Sequence, residues 1–416
     1  MLLLPSRLPK IGLLFGAAIC VGLGVLIMRR PGRDAPAGDP EGPLTGDGSE
    51  SPDARARSLL VLEPIELELG FRLIGIVDEL RGGDLMMRLS KVRERVALDL
   101  GLVVPAIKVV DNTRIHPAEY SIKLRTSGIG RWRVRPDRLL VSTDSGLPEG
   151  LEGTPGVDPV TGKPGIWVPE SNAATAAAAG LRVRRVGEIV ADHLDRIIRC
   201  HAAEILTREE VSRLISDLRR RAPALVDELI PGTLKLGEVQ KVLQALLREQ
   251  VSIRDLEAIL ETLADYGDRI RDTRELTEFV RRTLARTICG AMAGRDGTIR
   301  AILLDTALEE FLQGSIEKTE RGARLSIEPE MAEALVGSIA QTAAKAESAK
   351  GPPALVCSGT LRLHLRELLA ARTPLLSIVA YEEIPDEFRI EPCGTVVLEL
   401  SELGDSQQRI PGRLGR

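Results

Sequence analysis

Aromatic residues are nearly missing from this 416-residue sequence: two tryptophans, three tyrosines and five phenylalanines, 2% in all. A platform for stacking nucleic-acid bases has little to be built from. An excess of basic charge is missing too. The formal net charge is −4, whereas a general nucleic-acid binder presents a basic surface. Cysteine is sparse: Cys20, Cys200, Cys289, Cys357 and Cys393 are scattered, with no Cys-x-x-Cys pair. Such an odd, unpatterned set implies free thiols in a reducing compartment, and its spacing builds no zinc site. Nor are staples required, because this length is ample for two or three compact units with cores of their own. The phosphate-cradling patterns G-x-x-x-x-G-K-[ST] and G-x-G-x-x-G do not occur, and neither do H-E-x-x-H or G-x-S-x-G. No cofactor, no catalytic set and no enzyme activity is expected on these grounds.

What is present begins with a membrane segment. Residues 11–28, IGLLFGAAICVGLGVLIM, carry no charge, and as a helix they span about 27 Å, close to the hydrocarbon core of a bilayer. Arg7 and Lys10 precede the run, as in a signal peptide, but Arg29 and Arg30 follow where a cleavage site of small residues belongs. A retained single-pass anchor after a flank at 1–10 is the expectation, with a weak charge bias toward a cytoplasmic C-terminal side. Residues 29–57 are rich in Gly, Pro, Asp and Ser, with Leu44 the one large apolar side chain. They are expected to form a disordered linker with a reach of about 30 Å.

Three blocks follow. Block 58–186 mixes strands and helices: IELEL alternates as a half-buried strand does, and 84–102 places Leu85, Leu89, Val92, Val96 and Leu100 on one helical face. VVPAIKVV and YSIKLR read as strands, and 147–168 reads as a long irregular loop. AATAAAAG, at 173–180, reads as a short helix stopped by Gly180. Block 187–290 reads as a bundle of five amphipathic helices, with capping-box patterns at Thr207/Glu210 and Asp272/Glu275. Block 295–403 alternates again, with IRAILL, ARLSI, ALVCS, LLSIVAY and TVVLEL as strands and helices near 329–347 and 360–372. A tail at 404–416 closes the chain. The fold class expected is therefore α+β in several subdomains: N-terminal α/β pieces, a helical bundle and a C-terminal α/β piece, after one transmembrane helix and a disordered tether.

Three constellations invite chemistry. On a helix His193, Cys200 and Glu204 fall near one face with His201 in reach of Glu204, but no second cluster completes a metal shell, so ordinary helix residues are the expectation and no metal is assigned. Ser358-Gly359-Thr360 stands between a strand and a helix, where an anion or a simple N-cap fits; the N-cap is preferred. Glu257, Glu261 and Asp265 recur at a spacing of four opposite Leu256, Ile259, Leu260 and Leu263. That is the wet side of a surface helix, with nothing to raise a carboxyl pKa for acid–base work.

At these residues the sequence becomes recognisable. VSIRDLEAILETLADYGDRIRDTRELTEFVRRTLARTI, at 251–288, resembles the cytoplasmic domain of the type III secretion export-gate family, flagellar and injectisome. So do 65–112, HPAEYSIKL, VDPVTGKPGIWV, VADHLDRIIRCHAAEIL, LVCSGTLRLHLREL and SIVAYEEIP, in order over roughly 59–400. The resemblance implies a non-enzymatic platform of four subdomains, two α/β pieces falling within the first block. It implies a ring formed with itself or with a full-length relative. Its partners would be export substrates or their chaperones and the stalk of the export ATPase, with no nucleic acid. The place implied is the bacterial inner membrane, contacted through residues 11–28, with the C-terminal domain cytoplasmic.

Two departures stand out. The family's multi-spanning membrane domain is replaced here by one anchor. The family's docking motif, Asp-Pro-x-aromatic, reads Asp158-Pro159-Val160-Thr161, and Asp192 stands where a helix threonine is expected. By resemblance the substrate- or chaperone-binding residues are Asp158, Thr161, Trp167 and Asp192. The alternative is a detached paralogue acting as a membrane-anchored scaffold or regulator outside secretion. A hydrolase relying on Asp158 or His193 is a distant third.

Overall fold

The structure, a computed structural model, describes residues 63–142, 152–319, 322–346 and 351–398. The expected flank, anchor, linker and tail lie outside the described residues, so the run at 11–28 does too. Among the described residues no helix is long and apolar enough to cross a membrane.

Strand β1 (Ile65–Leu69) is buried on both faces and forms the interior of the first sheet. Helix α1 (Leu85–Leu100) carries the chain across to β2 (Ile107–Asp111), which pairs with β1 in parallel, as a helical crossover permits. Strands β3 (Glu119–Leu124) and β4 (Ser127–Arg133) complete the order β2-β1-β3-β4. Leu85, Leu89, Val92, Val96 and Leu100 of α1 are all buried, the stripe that the three-and-four spacing predicts. Gly101 ends the helix at φ 72°, its N–H donating to the Ala97 carbonyl. A Cβ there would meet the Arg254 backbone nitrogen at 2.7 Å, so space as well as conformation requires glycine.

Strands β5 (Leu139–Ser142), β6 (Thr154–Val157), β7 (Pro164–Val168) and β8 (Arg182–Arg184) form a second, antiparallel sheet in the order β6-β7-β5-β8. The long irregular loop expected at 147–168 is instead largely a hairpin. Glycine and proline hide its strands from propensity reasoning, yet Pro155 is harmless on an edge strand. Helix α2 (Ala173–Ala178) is the alanine patch, ending just before Gly180 at φ 73°.

The helical stretch runs α3 (Val186–Cys200), α4 (Ala202–Ile205), α5 (Arg208–Arg219), α6 (Pro223–Glu228), α7 (Leu236–Arg248), α8 (Leu256–Gly267), α9 (Thr273–Thr283) and α10 (Ala285–Met292). Five helices were legible; α4, α6 and α10 are too short to show a period. The Thr207 hydroxyl accepts from the Glu210 N–H at 3.2 Å, while Asp272 caps through the Arg274 N–H at 2.9 Å and not through Glu275. One apolar core continues from Leu67 and Tyr120 of the first sheet through Leu194 of α3 to Val239, Leu263 and Val280.

The third sheet is parallel: β9 (Thr298–Leu304), β12 (Ala354–Cys357), β13 (Ser377–Ala380) and β14 (Arg389–Val396), in the order β13-β12-β9-β14. Helices α11 (Thr306–Gly314), α12 (Pro329–Ala346) and α13 (Gly359–Leu369) cover it, and β10 (Ile316–Thr319) pairs with β11 (Gly322–Leu325) as a hairpin. The last strand differs from expectation: it starts at Arg389 and ends at Val396, so TVVLEL supplies only its end. Its register shifts between Pro392 and Gly394, which interrupts the alternation that a sequence reader follows. Ile302, Leu304, Leu355, Cys357, Ile378 and Val396 of this sheet join its helices in a second core.

A buried charged network joins the helices to the third sheet. Arg281 of α9 donates to Glu383 at 2.9 and 3.1 Å, to Glu249 at 2.9 Å and to the Ile378 carbonyl at 3.2 Å. Arg362 of α13 donates to the same Glu249 oxygen at 2.6 Å and to Glu278 through both arms. Burial works against charge on Arg362, yet Glu249 and Glu278 outweigh it and keep its pKa above the ordinary arginine value. Removing Glu249 leaves two buried guanidiniums short of one shared carboxylate. Glu249→Ala is expected to cost about 3–5 kcal/mol in urea unfolding; a loss below about 1 kcal/mol would show that water or the other carboxylates replace it.

Candidate binding site

Asp158 begins the turn between β6 and β7, and its own bonds shape that turn. Its N–H donates to the Lys163 carbonyl at 2.9 Å, and its carbonyl accepts from Gly162 at 2.8 Å. One carboxylate oxygen accepts from the Val160 N–H at 3.0 Å, and the other from the Thr161 hydroxyl at 2.9 Å. The Thr161 oxygen in turn accepts from the Lys163 N–H at 3.2 Å. Aspartate suits this place because its short side chain can close on the backbone two residues ahead.

The same carboxylate takes a charge-assisted bond from Arg184 of β8, and both side chains are almost completely buried, at 1% and 2% exposure. Arg184 also approaches Asp192 of α3 at 3.7 Å, and Arg182 holds Asp192 from outside at 3.3 Å. The Arg184 Nε is buried and has no hydrogen-bond partner among the described residues. Two of the four residues singled out in the sequence, Asp158 and Asp192, therefore meet one guanidinium, and a third, Thr161, bonds the Asp158 carboxylate. The sequence reading missed Arg184. Its only signal was its place in the alternating RVRR run, which does not reveal a buried charge.

Trp167 stands apart on β7. It is 4% exposed, and its indole lies where a Cβ on residue 156 would meet Nε1 at 2.5 Å, so Gly156 makes room for it. Beside Asp192, His193 forms a 2.7 Å hydrogen bond between its Nδ1 and the Tyr120 hydroxyl. Burial lowers the His193 pKa to about 4, Arg196 adds to the fall and Asp158 opposes it. Burial, reinforced by Asp158, pushes the Tyr120 phenol well above its ordinary value.

The other constellations resolve into structure. Helix α3 ends at Cys200, so Glu204 belongs to α4, and His201 pairs with Glu204 at 2.8 Å. Cys200 is half-buried and burial raises its thiol pKa. Among the described residues no group of three or more His, Cys, Asp or Glu is placed to hold a metal ion. Ser358 occupies the N-cap position of α13, but its hydroxyl makes no capping bond. The Gly359 N–H is met at 3.1 Å by the Glu382 carboxylate, so an internal anion already fills that end. Glu257, Glu261 and Asp265 are exposed, while Leu256, Ile259, Leu260 and Leu263 are buried.

Residues 1–389 match the FHIPEP family model. The chain belongs to the FHIPEP family. It is 33% identical to the flagellar biosynthesis protein FlhA of Bacillus subtilis over 350 residues, 84% of this chain and 52% of that protein. The chain spans about half the length of the curated relatives it matches. Its mixed α/β, multi-sheet fold is shared with the Chlamydia pneumoniae CdsV protein, at TM-score 0.72 and 27% identity over 81% of this chain and 98% of that one. The same fold appears in the nonameric SctV-C of EPEC, at TM-score 0.65 and 22% identity over 81% of this chain and 99% of that one.

The buried His193 gives a pH test. Its pKa is about 4 folded against an ordinary value of 6.5, so the folded state resists protonation. Its contribution is complete above pH 6.5 and is lost progressively as pH falls toward 4. His193→Gln keeps a partner for Tyr120 and removes this titration. Unfolding free energies measured across that window should fall less steeply in the variant, by up to about 1.4 kcal/mol per pH unit. Parallel profiles would mean that other groups account for the acid sensitivity.

Proposed function

We propose that this chain is a non-enzymatic docking platform of a type III protein export apparatus. It sits at the bacterial inner membrane, tethered through residues 11–28, with the described residues on the cytoplasmic side. Four subdomains make up the platform, two α/β pieces within 58–186, the helices of 187–290 and the α/β piece of 295–403. It forms a ring or joins one. The observation that carries this reading is family membership together with 33% identity to a flagellar biosynthesis protein over most of the chain. The fold shared with a nonameric relative supports ring assembly, and the existence of a CdsV and CdsO complex, at TM-score 0.72 and 27% identity to CdsV, supports a partner beyond the ring.

Substrates or their chaperones dock, on this reading, around Asp158, Thr161, Trp167 and Asp192, and stalk components of the export ATPase bind the same platform. Asp158 acts indirectly: its carboxylate is enclosed, so it positions the turn that presents Val160 and the exposed Thr161. An aromatic side chain at 161 would give that turn an apolar anchor of the kind that dominates interfaces. Threonine there and Asp192 on α3 make the surface polar and select different clients from those of aromatic-bearing relatives.

The test is pull-down and titration of purified chaperone–cargo complexes on the full 416-residue chain. Thr161→Phe combined with Asp192→Thr should tighten binding of flagellar-type complexes by about tenfold or more. Asp158→Ala, which frees the turn, should abolish docking of the native client. If the chain stays monomeric at high concentration and captures no export component in any variant, the reading fails.

A further inference from the structure

Both tryptophans of the chain, Trp132 and Trp167, line a single groove of about 450 Å³. Four arginines line it with them, Arg72, Arg133, Arg135 and Arg138, against one carboxylate, Asp137. In a chain of formal charge −4 this is a local reversal of sign. The arginines are not all consumed internally. Arg72 pairs with Asp137 at 2.6 Å across an exposed contact, and Arg133 with Glu119 at 3.1 Å. Among the described residues Arg138 donates to neutral oxygens, the Thr154 hydroxyl at 3.4 Å and the Trp167 carbonyl at 3.3 Å. Arg135 is exposed, and no carboxylate of the described residues pairs with it.

The walls of the groove say what shape of ligand fits. Trp132 and Arg133 belong to β4, the edge strand of the first sheet, and Pro155, Gly156 and Val157 belong to β6, the edge strand of the second. Two sheet edges thus flank one basic channel. Edge strands offer backbone groups that pair with an added extended chain, and such edges are a recurring mode of peptide capture. A second cavity of about 490 Å³ shares Arg72, Asp137 and Arg138 with the first, and its further acids, Asp84 and Glu170, are already paired with Arg88 and Arg185. Guanidinium forks match carboxylates in geometry, and the half-buried Trp132 offers an apolar surface for the aliphatic stems between them, while Trp167 is packed into the wall.

We propose that this groove binds an extended acidic polypeptide segment, laid along the β4 or β6 edge with its carboxylates on Arg135, Arg138 and Arg72. The site is distinct from the Asp158–Arg184–Asp192 cluster and does not depend on the export reading.

The tryptophans supply the readout. Titrating hexaglutamate peptide into the full chain at low ionic strength should give a saturable change in tryptophan fluorescence that fades as salt is raised. Arg135→Glu should weaken binding by about tenfold or more, and Arg135→Gln by less, while the charge-matched control Arg271→Glu leaves it unchanged. A backbone N-methylated hexaglutamate should bind at least about tenfold more weakly, since it cannot add to a strand edge. No saturable signal with hexaglutamate would overturn the proposal. So would equal weakening by Arg135→Glu and Arg271→Glu, which marks diffuse attraction, or inorganic phosphate binding as tightly as the peptide, which marks a bare anion site. Equal binding of the N-methylated peptide would overturn strand addition. Circular dichroism of the two Arg135 variants checks that the fold is intact.

Discussion

The shared carboxylate of Glu249 is the constraint on which the relation of the helices to the third sheet depends. It stands just past the end of α7 and takes one arm each from Arg281 of α9 and Arg362 of α13. Both arginines are buried, at 1% and 0% exposure, so neither has water to fall back on. A buried ion pair is weak evidence for net stability, because desolvation offsets much of the attraction. Its strength here is directional. Each guanidinium fork has donors at fixed angles, and Glu278, Glu383 and the Ile378 carbonyl fill the remaining positions. Apolar contact through Cys289, Ile299 and Ala354 adds adhesion at the same junction without such angular demands.

Much of the fold could be read from residue order, and the limits have physical causes. Long helices announce themselves because a stripe such as Leu85, Leu89, Val92, Val96 and Leu100 repeats often enough to leave one interpretation. Helices of four to eight residues, such as α4, α6 and α10, give too few turns for a period to emerge. The β6–β7 hairpin escaped because Pro155, Gly156, Pro164 and Gly165 occupy strand positions that propensity assigns to loops. The displaced last strand escaped because its bulge breaks the alternation at Pro392.

The candidate site was legible in part. Resemblance pointed to Asp158, Thr161 and Asp192; the structure places Asp158 and Asp192 against Arg184, with Thr161 bonded to Asp158. Nothing in the sequence distinguishes a buried arginine from an exposed one in a run like RVRR. The same resemblance implies a role for Trp167, in the segment VDPVTGKPGIWV. Its side chain lies elsewhere because Gly156 on the neighbouring strand leaves space for the indole. Distance along the chain and distance across a pleated sheet are different measures, and a motif records only the first.

Continuity of the first apolar core has a mechanical meaning. Side chains from Leu67 on β1 to Val280 on α9 share one packed interior, and close-packed interiors transmit displacement with little compression. The turn at Asp158 is tied to that interior through Arg184 and α3, where His193 bonds Tyr120. Glu249, just past α7, whose apolar face belongs to the same interior, is the grip on the third sheet. A push on the turn at Asp158 is thus passed into this packed interior instead of being absorbed in the loop.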